Sequence, residues 1–205
     1  MPMASARFSG MSPTTAPVAA PAVDCSRHPP ARQRRTCARK QSLRMRRPSR
    51  EAPMLQVGDV APDFELLDEE GKPTRLSSFR SRNVVIVFFP AAFSPICTQE
   101  LKQIGARRME YERENAAVLG VSVDNRWSLR AFKRDEGLSA TLLSDFHPKG
   151  NVAQKYGVFL GETGYAKRGT FVVDKDGIIR GIAIKEPKEP RSEEDYFNLL
   201  RNCPR

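Results

Sequence analysis

An uninterrupted run of apolar residues at positions 84–89 consists of β-branched and aromatic side chains with no alternating polar positions. This pattern is typical of a strand that is buried on both faces of a sheet. Pro90 follows directly and cannot donate a hydrogen bond to a neighbouring strand, so the strand is predicted to end there. Ser94 then has the side chain of a helix N-cap, and Pro95 suits the first helical position. The pattern therefore predicts a buried strand, a short loop and a helix that begins at Pro95.

Similar patterns predict the other elements of one α/β domain. Residues 64–67 and 73–76 flank an acidic loop that contains a glycine, and they are predicted to form an N-terminal β-hairpin. Residues 170–173 and 178–184 flank the sequence Asp-Lys-Asp-Gly, which is a strong hairpin turn signal. The remaining predicted elements are strands at 116–123 and 142–143 and helices at 127–137, 151–156 and 192–201. This order predicts a central mixed sheet with helices on both faces.

Cys97 is predicted to be the third residue of the helix that begins at Pro95. The N–H groups of a first helical turn lack intrahelical partners, and the positive end of the helix dipole favours an anion there. A thiol at this position is therefore expected to ionise readily. It also follows the end of a central strand, where α/β sheets bind ligands. These features favour a reactive thiolate over the alternative of a small buried hydrophobic side chain.

The positive charge of the chain is concentrated at one end. The 205 residues have a formal net charge of +10, but residues 1–53 alone contain eleven Lys or Arg and only two acidic residues. The remainder is nearly neutral, which argues against a nucleic-acid partner for the folded part. No apolar run approaches the roughly 20 residues that span a membrane, so no membrane partner is predicted either.

Residues 1–53 are rich in Pro, Ser, Ala and Arg and lack periodicity. They are predicted to be a disordered basic extension that precedes a folded domain at 54–205. Three interpretations are an organelle transit peptide, a basic arm for a polyanion, and upstream sequence translated from a wrongly chosen start. The last is preferred because the sequence MLQVG at 54–58 resembles a natural beginning. A cytoplasmic protein is then expected, with an organelle as the alternative if the extension is a transit peptide.

The cysteines and histidines do not have the spacing of a metal site. There is no C-x-x-C pair, and the only two histidines are far apart in the chain. Two of the four cysteines lie in the basic extension, so a secreted disulfide framework is not expected and a reducing compartment fits better. The residues concerned are Cys25, Cys37, Cys97, Cys203, His28 and His147.

The spacing Pro90-x-x-x-Ser94-x-x-Cys97 resembles the active-site motif of the peroxiredoxins, in which a proline, a threonine or serine and the peroxidatic cysteine are arranged in this way. Further segments that resemble this family extend the similarity over about residues 55–202; they are 57–64, 143–146, 156–158 and 168–174. The sequence is most similar to the one-cysteine alkyl hydroperoxide reductase E group. The resemblance implies a thioredoxin-like fold and a thiol-dependent peroxidase that reduces hydrogen peroxide, organic hydroperoxides or peroxynitrite.

The resemblance also implies a role for each matching residue. Cys97 would attack the peroxide and become a sulfenic acid. Arg168 would stabilise the thiolate and the polarised O–O bond. Ser94 would hydrogen-bond the sulfur or the peroxide, unless it is a helix cap only, and Pro90 would shield the site from water. Glu100 is a candidate supporting residue in the arginine network, and a solvent-exposed carboxylate is the alternative.

Recycling in such an enzyme implies an external thiol or a thioredoxin-like or mycoredoxin-like protein as reductant. No metal, haem or flavin cofactor is implied, and a homodimer is expected. Cys203 is a candidate resolving cysteine, although an ordinary terminal thiol is the preferred interpretation. The alternative functions are a redox sensor or chaperone that signals through oxidised Cys97, and a thiol-disulfide oxidoreductase on the same fold. The latter needs a second cysteine close to Cys97, and residues 98–100 supply none.

Overall fold

The computed structural model describes residues 54–203, apart from the side chain of Glu193. The predicted extension at 1–53, with Cys25, Cys37 and His28, lies outside the described residues. The strands are β1 (Glu65–Asp68), β2 (Pro73–Arg75), β3 (Asn83–Phe88), β4 (Ala116–Ser122), β5 (Thr141–Ser144), β6 (Phe159–Leu160), β7 (Tyr165–Ala166), β8 (Arg168–Val173) and β9 (Ile179–Lys185). The helices are α1 (Pro95–Ala106), α2 (Arg108–Arg113), α3 (Arg126–Glu136), α4 (Asn151–Lys155) and α5 (Glu193–Leu200).

Seven strands form a mixed sheet in the order β2-β1-β5-β4-β3-β8-β9, and β6 pairs with β7 in a separate hairpin. The central strands β3, β4 and β5 are parallel, whereas β8 runs antiparallel to β3. The predicted N-terminal hairpin of β1 and β2 is present and continues the sheet through pairing of β1 with β5. The hairpin of β6 and β7 was not predicted, because two-residue strands leave no periodic pattern.

The apolar run of β3 is buried on both faces, as its sequence predicts. Val84, Ile86 and Phe88 belong to the core on one face of the sheet, which α4 and Tyr156 help to cover. Val85 and Val87 belong to the core on the other face, with residues of α1, α3 and α5. The alternation follows from the two-residue period of a strand. The prediction of helices on both faces is therefore confirmed, although most of the helical residues lie on one of them.

The helix after the buried strand is interrupted. α1 ends at Ala106, Arg107 leaves helical geometry with φ −102° and ψ 17°, and α2 begins at Arg108. Ile104 is buried, but Met109 on the second segment is exposed. The first segment therefore fixes the residues that follow Cys97, while the second carries a separate contact to the core through Tyr111.

Candidate active site

Cys97 is the third residue of α1, and its side chain is fully buried. Ser94 is the N-cap residue with extended backbone angles, and proline occupies the first helical turn, as the sequence predicts. Strand β3 ends at Phe88, and Phe89 continues along the sheet by donating its N–H to the carbonyl oxygen of Val121. The thiol therefore lies at the carboxyl end of two parallel central strands, within the first turn of a helix.

Arg168 is the first residue of β8, and the antiparallel pairing of β8 with β3 brings it to Cys97. The register pairs Val87 with Thr170, so the beginning of β8 lies beside the end of β3. The guanidinium Nη1 of Arg168 lies 3.5 Å from the sulfur of Cys97 and donates a hydrogen bond to it. The Nε of the same side chain donates to the carbonyl oxygen of Pro187 at 2.8 Å, which fixes the orientation of the guanidinium.

Glu100 lies one turn after Cys97 and is buried beside the same arginine. Only 2% of its side chain is exposed, and its Oε2 accepts a hydrogen bond from Nη1 of Arg168 at 2.8 Å. A carboxylate and a guanidinium at this distance form a charge-assisted hydrogen bond. Glu100 is thus part of the arginine network and is not the solvent-exposed carboxylate of the alternative interpretation.

A second buried arginine, Arg191, completes the network and was not predicted. Its backbone N–H donates to Oε1 of Glu100 at 2.7 Å, and its Nη2 donates to Oε2 at 2.8 Å. Its Nη1 donates to the carbonyl oxygens of Phe88 and Gly169, at the end of β3 and the beginning of β8. The sequence contains only a weak signal for the role of Arg191. This residue directly precedes the capping box that begins α5. The capping box fixes the backbone there but does not indicate which group the Arg191 side chain contacts.

Tyr196 lies near the beginning of α5 and packs near this network. Its ring centroid lies 5.5 Å from the central guanidinium carbon of Arg191, within the range of a cation–π contact. Burial raises the pKa of the Tyr196 hydroxyl well above its ordinary value, against the opposing effect of the Arg191 charge. Within residues 54–203 this hydroxyl has no hydrogen-bond partner, so it is not a proton donor to the network.

The buried side chains beside Cys97 carry more positive than negative charge. Arg168 and Arg191 contribute two guanidinium charges, Glu100 contributes one carboxylate, and all three side chains are at least nine-tenths buried. A buried net positive charge is costly because it has lost its hydration. The sulfur of Cys97, within hydrogen-bond distance of Arg168, faces this excess of positive charge.

Ser94 and Pro90 flank this thiol. The Ser94 side chain makes no cap hydrogen bond to α1, and the residue is partly exposed. Its hydroxyl is therefore available to another partner, which excludes the interpretation that it acts only as a hydrogen-bonding cap. Pro90 is buried and follows Phe89, at the beginning of the loop that leads to Ser94.

Cys203 and His147 lie away from the thiol. Cys203 lines a surface cavity with Ser81 and Asn83, at the beginning of β3, whereas Cys97 follows the end of that strand. Because β3 has six residues, the two ends are roughly 17 Å apart. His147 is exposed and lines a different cavity, with Trp127 and Phe146.

Within residues 54–203, no group of acidic, histidine or cysteine side chains has the arrangement of a metal site. In the same part of the chain, every helix is too short or too polar to cross a bilayer.

Comparison with known proteins agrees with this geometry. The sequence model of the AhpC/TSA family matches residues 57–182. The chain is 44% identical over 148 residues to alkyl hydroperoxide reductase E of Mycobacterium tuberculosis, which covers 72% of this chain and 97% of the relative. It is 33% identical over 155 residues to peroxiredoxin-2 of Bos taurus, covering 71% of this chain and 77% of the relative.

Solved structures show the same architecture. Peroxidoxin BcpB from Mycobacterium tuberculosis aligns with a TM-score of 0.64 and 32% identity, covering 72% of this chain and 96% of that one. AhpC of the same organism aligns with a TM-score of 0.64 and 23% identity, covering 73% of this chain and 98% of that one, and supports the fold alone.

The fold is thioredoxin-like, and the protein is a thiol-dependent peroxidase. The chain belongs to the AhpC/TSA family, the peroxiredoxins, where it groups with alkyl hydroperoxide reductase E.

Proposed function

We propose that Cys97 is the peroxidatic cysteine and that the substrates are hydrogen peroxide, small organic hydroperoxides or peroxynitrite. The observation that carries this proposal is the hydrogen bond from Nη1 of Arg168 to the buried sulfur of Cys97 at 3.5 Å. An arginine in this place stays charged throughout the reaction, because its guanidinium is not deprotonated in proteins. It favours the thiolate before the reaction and the developing negative charge during it.

In the proposed reaction, the thiolate attacks one peroxide oxygen in line with the O–O bond. A sulfur–oxygen bond forms as the O–O bond breaks, so the sulfur is oxidised by two electrons and the peroxide is reduced. The departing oxygen carries the bonding pair and leaves, after taking up a proton, as water from hydrogen peroxide or as an alcohol from an organic hydroperoxide; peroxynitrous acid releases nitrite. The Ser94 hydroxyl, which makes no cap bond, would donate to the peroxide. Pro90 would exclude water from the reacting atoms.

The sulfenic acid on Cys97 is proposed to be reduced by an external thiol or by a thioredoxin-like or mycoredoxin-like protein. One thiol displaces water to form a mixed disulfide, and a second thiol releases the reduced enzyme. Cys203 lies near the beginning of β3 in the same chain, and a disulfide needs Cα atoms within roughly 7 Å. This location supports recycling by an external reductant.

Cys203 is expected to react slowly with electrophiles at neutral pH. Burial, with a smaller contribution from the Asp174 carboxylate, raises the pKa of the Cys203 thiol to about 11, against the opposing effect of Arg180. At pH 8 about one thiol in a thousand is then ionised. Iodoacetamide labelling of the Cys203 peptide, followed by mass spectrometry in the Cys97→Ser chain, should accelerate as the pH rises towards 11.

The control for this measurement is the unfolded chain, in which labelling should accelerate as the pH passes the ordinary thiol pKa of about 8.5. Rapid labelling of folded Cys203 at pH 8 would contradict the expectation. A digest of the wild-type chain, prepared after one equivalent of peroxide, should contain Cys97 as a sulfenic acid trapped by dimedone. A disulfide between Cys97 and Cys203 would instead refute recycling by an external thiol alone.

Stopped-flow mixing tests the proposed substrates. The reduced protein is mixed with hydrogen peroxide, tert-butyl hydroperoxide or peroxynitrite, and the second-order rate constant of each reaction is measured. At least one should exceed the rate constant of free cysteine by several orders of magnitude, because Arg168 stabilises both the thiolate and the transition state. Rate constants equal to that of free cysteine for all three would refute the proposal.

We also propose a cytoplasmic homodimer. The near-neutral charge of residues 54–205 supports a partner other than nucleic acid. Sedimentation velocity tests the dimer, and N-terminal sequencing of the native protein tests whether the basic extension remains attached.

A further inference from the structure

The loop between β3 and α1 is held by a residue outside the motif, Asp124. The carboxylate Oδ2 of Asp124 accepts a hydrogen bond from the backbone N–H of Ala92 at 2.8 Å. Ala92 lies two residues before Ser94, in the middle of the loop. The same oxygen accepts a hydrogen bond from the Ser122 hydroxyl at 2.9 Å. Asp124 thus connects the end of β4 to the loop that carries the proposed peroxide-binding serine.

Asp124 is itself fixed by its neighbours. Its backbone N–H donates to Ser122 Oγ at 3.3 Å, and its carbonyl oxygen accepts from Ser144 Oγ at 2.7 Å. These contacts tie it to the carboxyl ends of β4 and β5, which pair in parallel within the sheet. The carboxylate is therefore a fixed point against which the loop is positioned.

The loop needs such a fixed point because one of its residues is strained. Phe93 has φ +61°, in the left-handed region that residues other than glycine rarely adopt. Half of its surface is exposed, and its ring packs against Phe132 with centroids 5.0 Å apart. A strained conformation persists only where its surroundings enforce it. The hydrogen bond from Ala92 to Asp124 and the contact of the Phe93 ring with Phe132 are two such restraints.

The Ser94 side chain depends on this restraint because it makes no cap hydrogen bond to α1. The carbonyl oxygen of Ser94 is held by the N–H of Thr98 at 2.9 Å, which ties the residue to the helix on its other side. The direction of the Ser94 hydroxyl therefore depends also on the backbone of Ala92 and Phe93. Cys97, in contrast, has its own restraint, the hydrogen bond from Arg168. The loop and the thiol are thus positioned by different partners.

We propose that Asp124 is a positioning residue that acts through Ser94: it fixes the loop so that the Ser94 hydroxyl meets the peroxide. This inference rests on the proposed role of Ser94, and it adds a residue that has no part in the motif. Asp124 does not touch the reacting atoms. Its loss should therefore slow the reaction with peroxide but leave the intrinsic reactivity of the Cys97 thiolate unchanged.

The experiment compares Asp124→Ala in two backgrounds, with Ser94 present and with Ser94→Ala. With Ser94 present, the second-order rate constant for hydrogen peroxide should fall about ten- to a hundredfold, because misplacement of a binding group costs that much. In the Ser94→Ala background, Asp124→Ala should lower this rate constant less than about threefold, because the hydroxyl that Asp124 positions is absent. Asp124→Asn, whose amide oxygen can still accept from Ala92, should recover most of the rate.

Two controls separate positioning from general damage. Labelling of Cys97 by iodoacetamide should proceed at the wild-type rate in every Asp124 variant. Asp135→Ala removes a carboxylate whose partner is the neighbouring Arg134 at 2.7 Å, so it should keep the peroxide rate. If Asp124→Ala does not fold, Asp124→Glu, which shifts the carboxylate by one methylene, replaces it in both backgrounds.

Three results would overturn the inference: an unchanged peroxide rate in Asp124→Ala, an equal loss in both Ser94 backgrounds, or a parallel loss of iodoacetamide labelling. A wild-type peroxide rate in Ser94→Ala alone would overturn the proposed role of Ser94 and the inference with it. Failure of the peroxidase proposal is distinct, because wild-type protein would then react with peroxide no faster than free cysteine.

Discussion

Replacing Cys97 with serine is expected to reduce the reaction with peroxide to the rate of buffer alone. A serine hydroxyl remains protonated near neutral pH and lacks the nucleophilicity of a thiolate. The substitution is nearly isosteric, and the buried neighbours Arg168 and Glu100 remain paired at 2.8 Å. Loss of activity would therefore report loss of the nucleophile and not loss of the fold. Stopped-flow consumption of hydrogen peroxide measures it.

Cys203→Ser is the matched control for this experiment. It removes the other cysteine of residues 54–203, near the beginning of β3, and should leave the first turnover unchanged. A Cys97→Ser chain that still consumes peroxide rapidly would contradict the assignment of Cys97. Loss of the first turnover in Cys203→Ser would contradict it as well.

Glu100→Gln is expected to have the largest effect on stability. The carboxylate accepts from both Arg168 and Arg191, and each of the three side chains is nearly inaccessible to water. Removing the negative charge leaves the two buried guanidinium groups without the carboxylate that pairs with both of them. Loss of one partner from a buried ion pair costs about 3–5 kcal/mol. Urea denaturation should show a decrease of that size in the free energy of unfolding.

The same substitution should also slow the reaction with peroxide, because Arg168 loses one of the two groups that orient it. The matched control is Glu65→Gln, whose partner Arg75 lies at a similar distance of 2.7 Å but whose side chain is half exposed. Exposed pairs contribute about 0–1 kcal/mol, so this variant should unfold almost as the wild type does. Equal destabilisation by the two variants would show that the buried network contributes no more than a surface ion pair.

The local part of the site could be predicted from the sequence, whereas its long-range part could not. The strand, the N-cap at Ser94 and the helical position of Cys97 follow from short-range rules about proline, capping and apolar runs. Arg168 lies 71 residues after Cys97, and only the resemblance to a family connected the two. No short-range rule predicts that contact, because it depends on the antiparallel register of β8 against β3.

Arg191 shows more clearly which part of the site short-range sequence rules cannot predict. It lies in a polar, proline-containing segment with the composition of an exposed loop, yet only 3% of it is exposed. Its burial results from the packing of α5 against the sheet, which carries the residue before the helix into the network. For the same reason, the sequence allowed two interpretations of Glu100, a member of the arginine network or a solvent-exposed carboxylate. Its arginine partners come from distant parts of the chain.

The separation of these residues along the chain affects when the site becomes reactive. Glu100 precedes Arg191 by 91 residues, so a ribosome exposes the cysteine long before it has made the second arginine. Until that segment has packed against the sheet, Glu100 lacks the partner that binds both of its carboxylate oxygens. We therefore expect fast consumption of peroxide only from chains that have been synthesised to this point and folded.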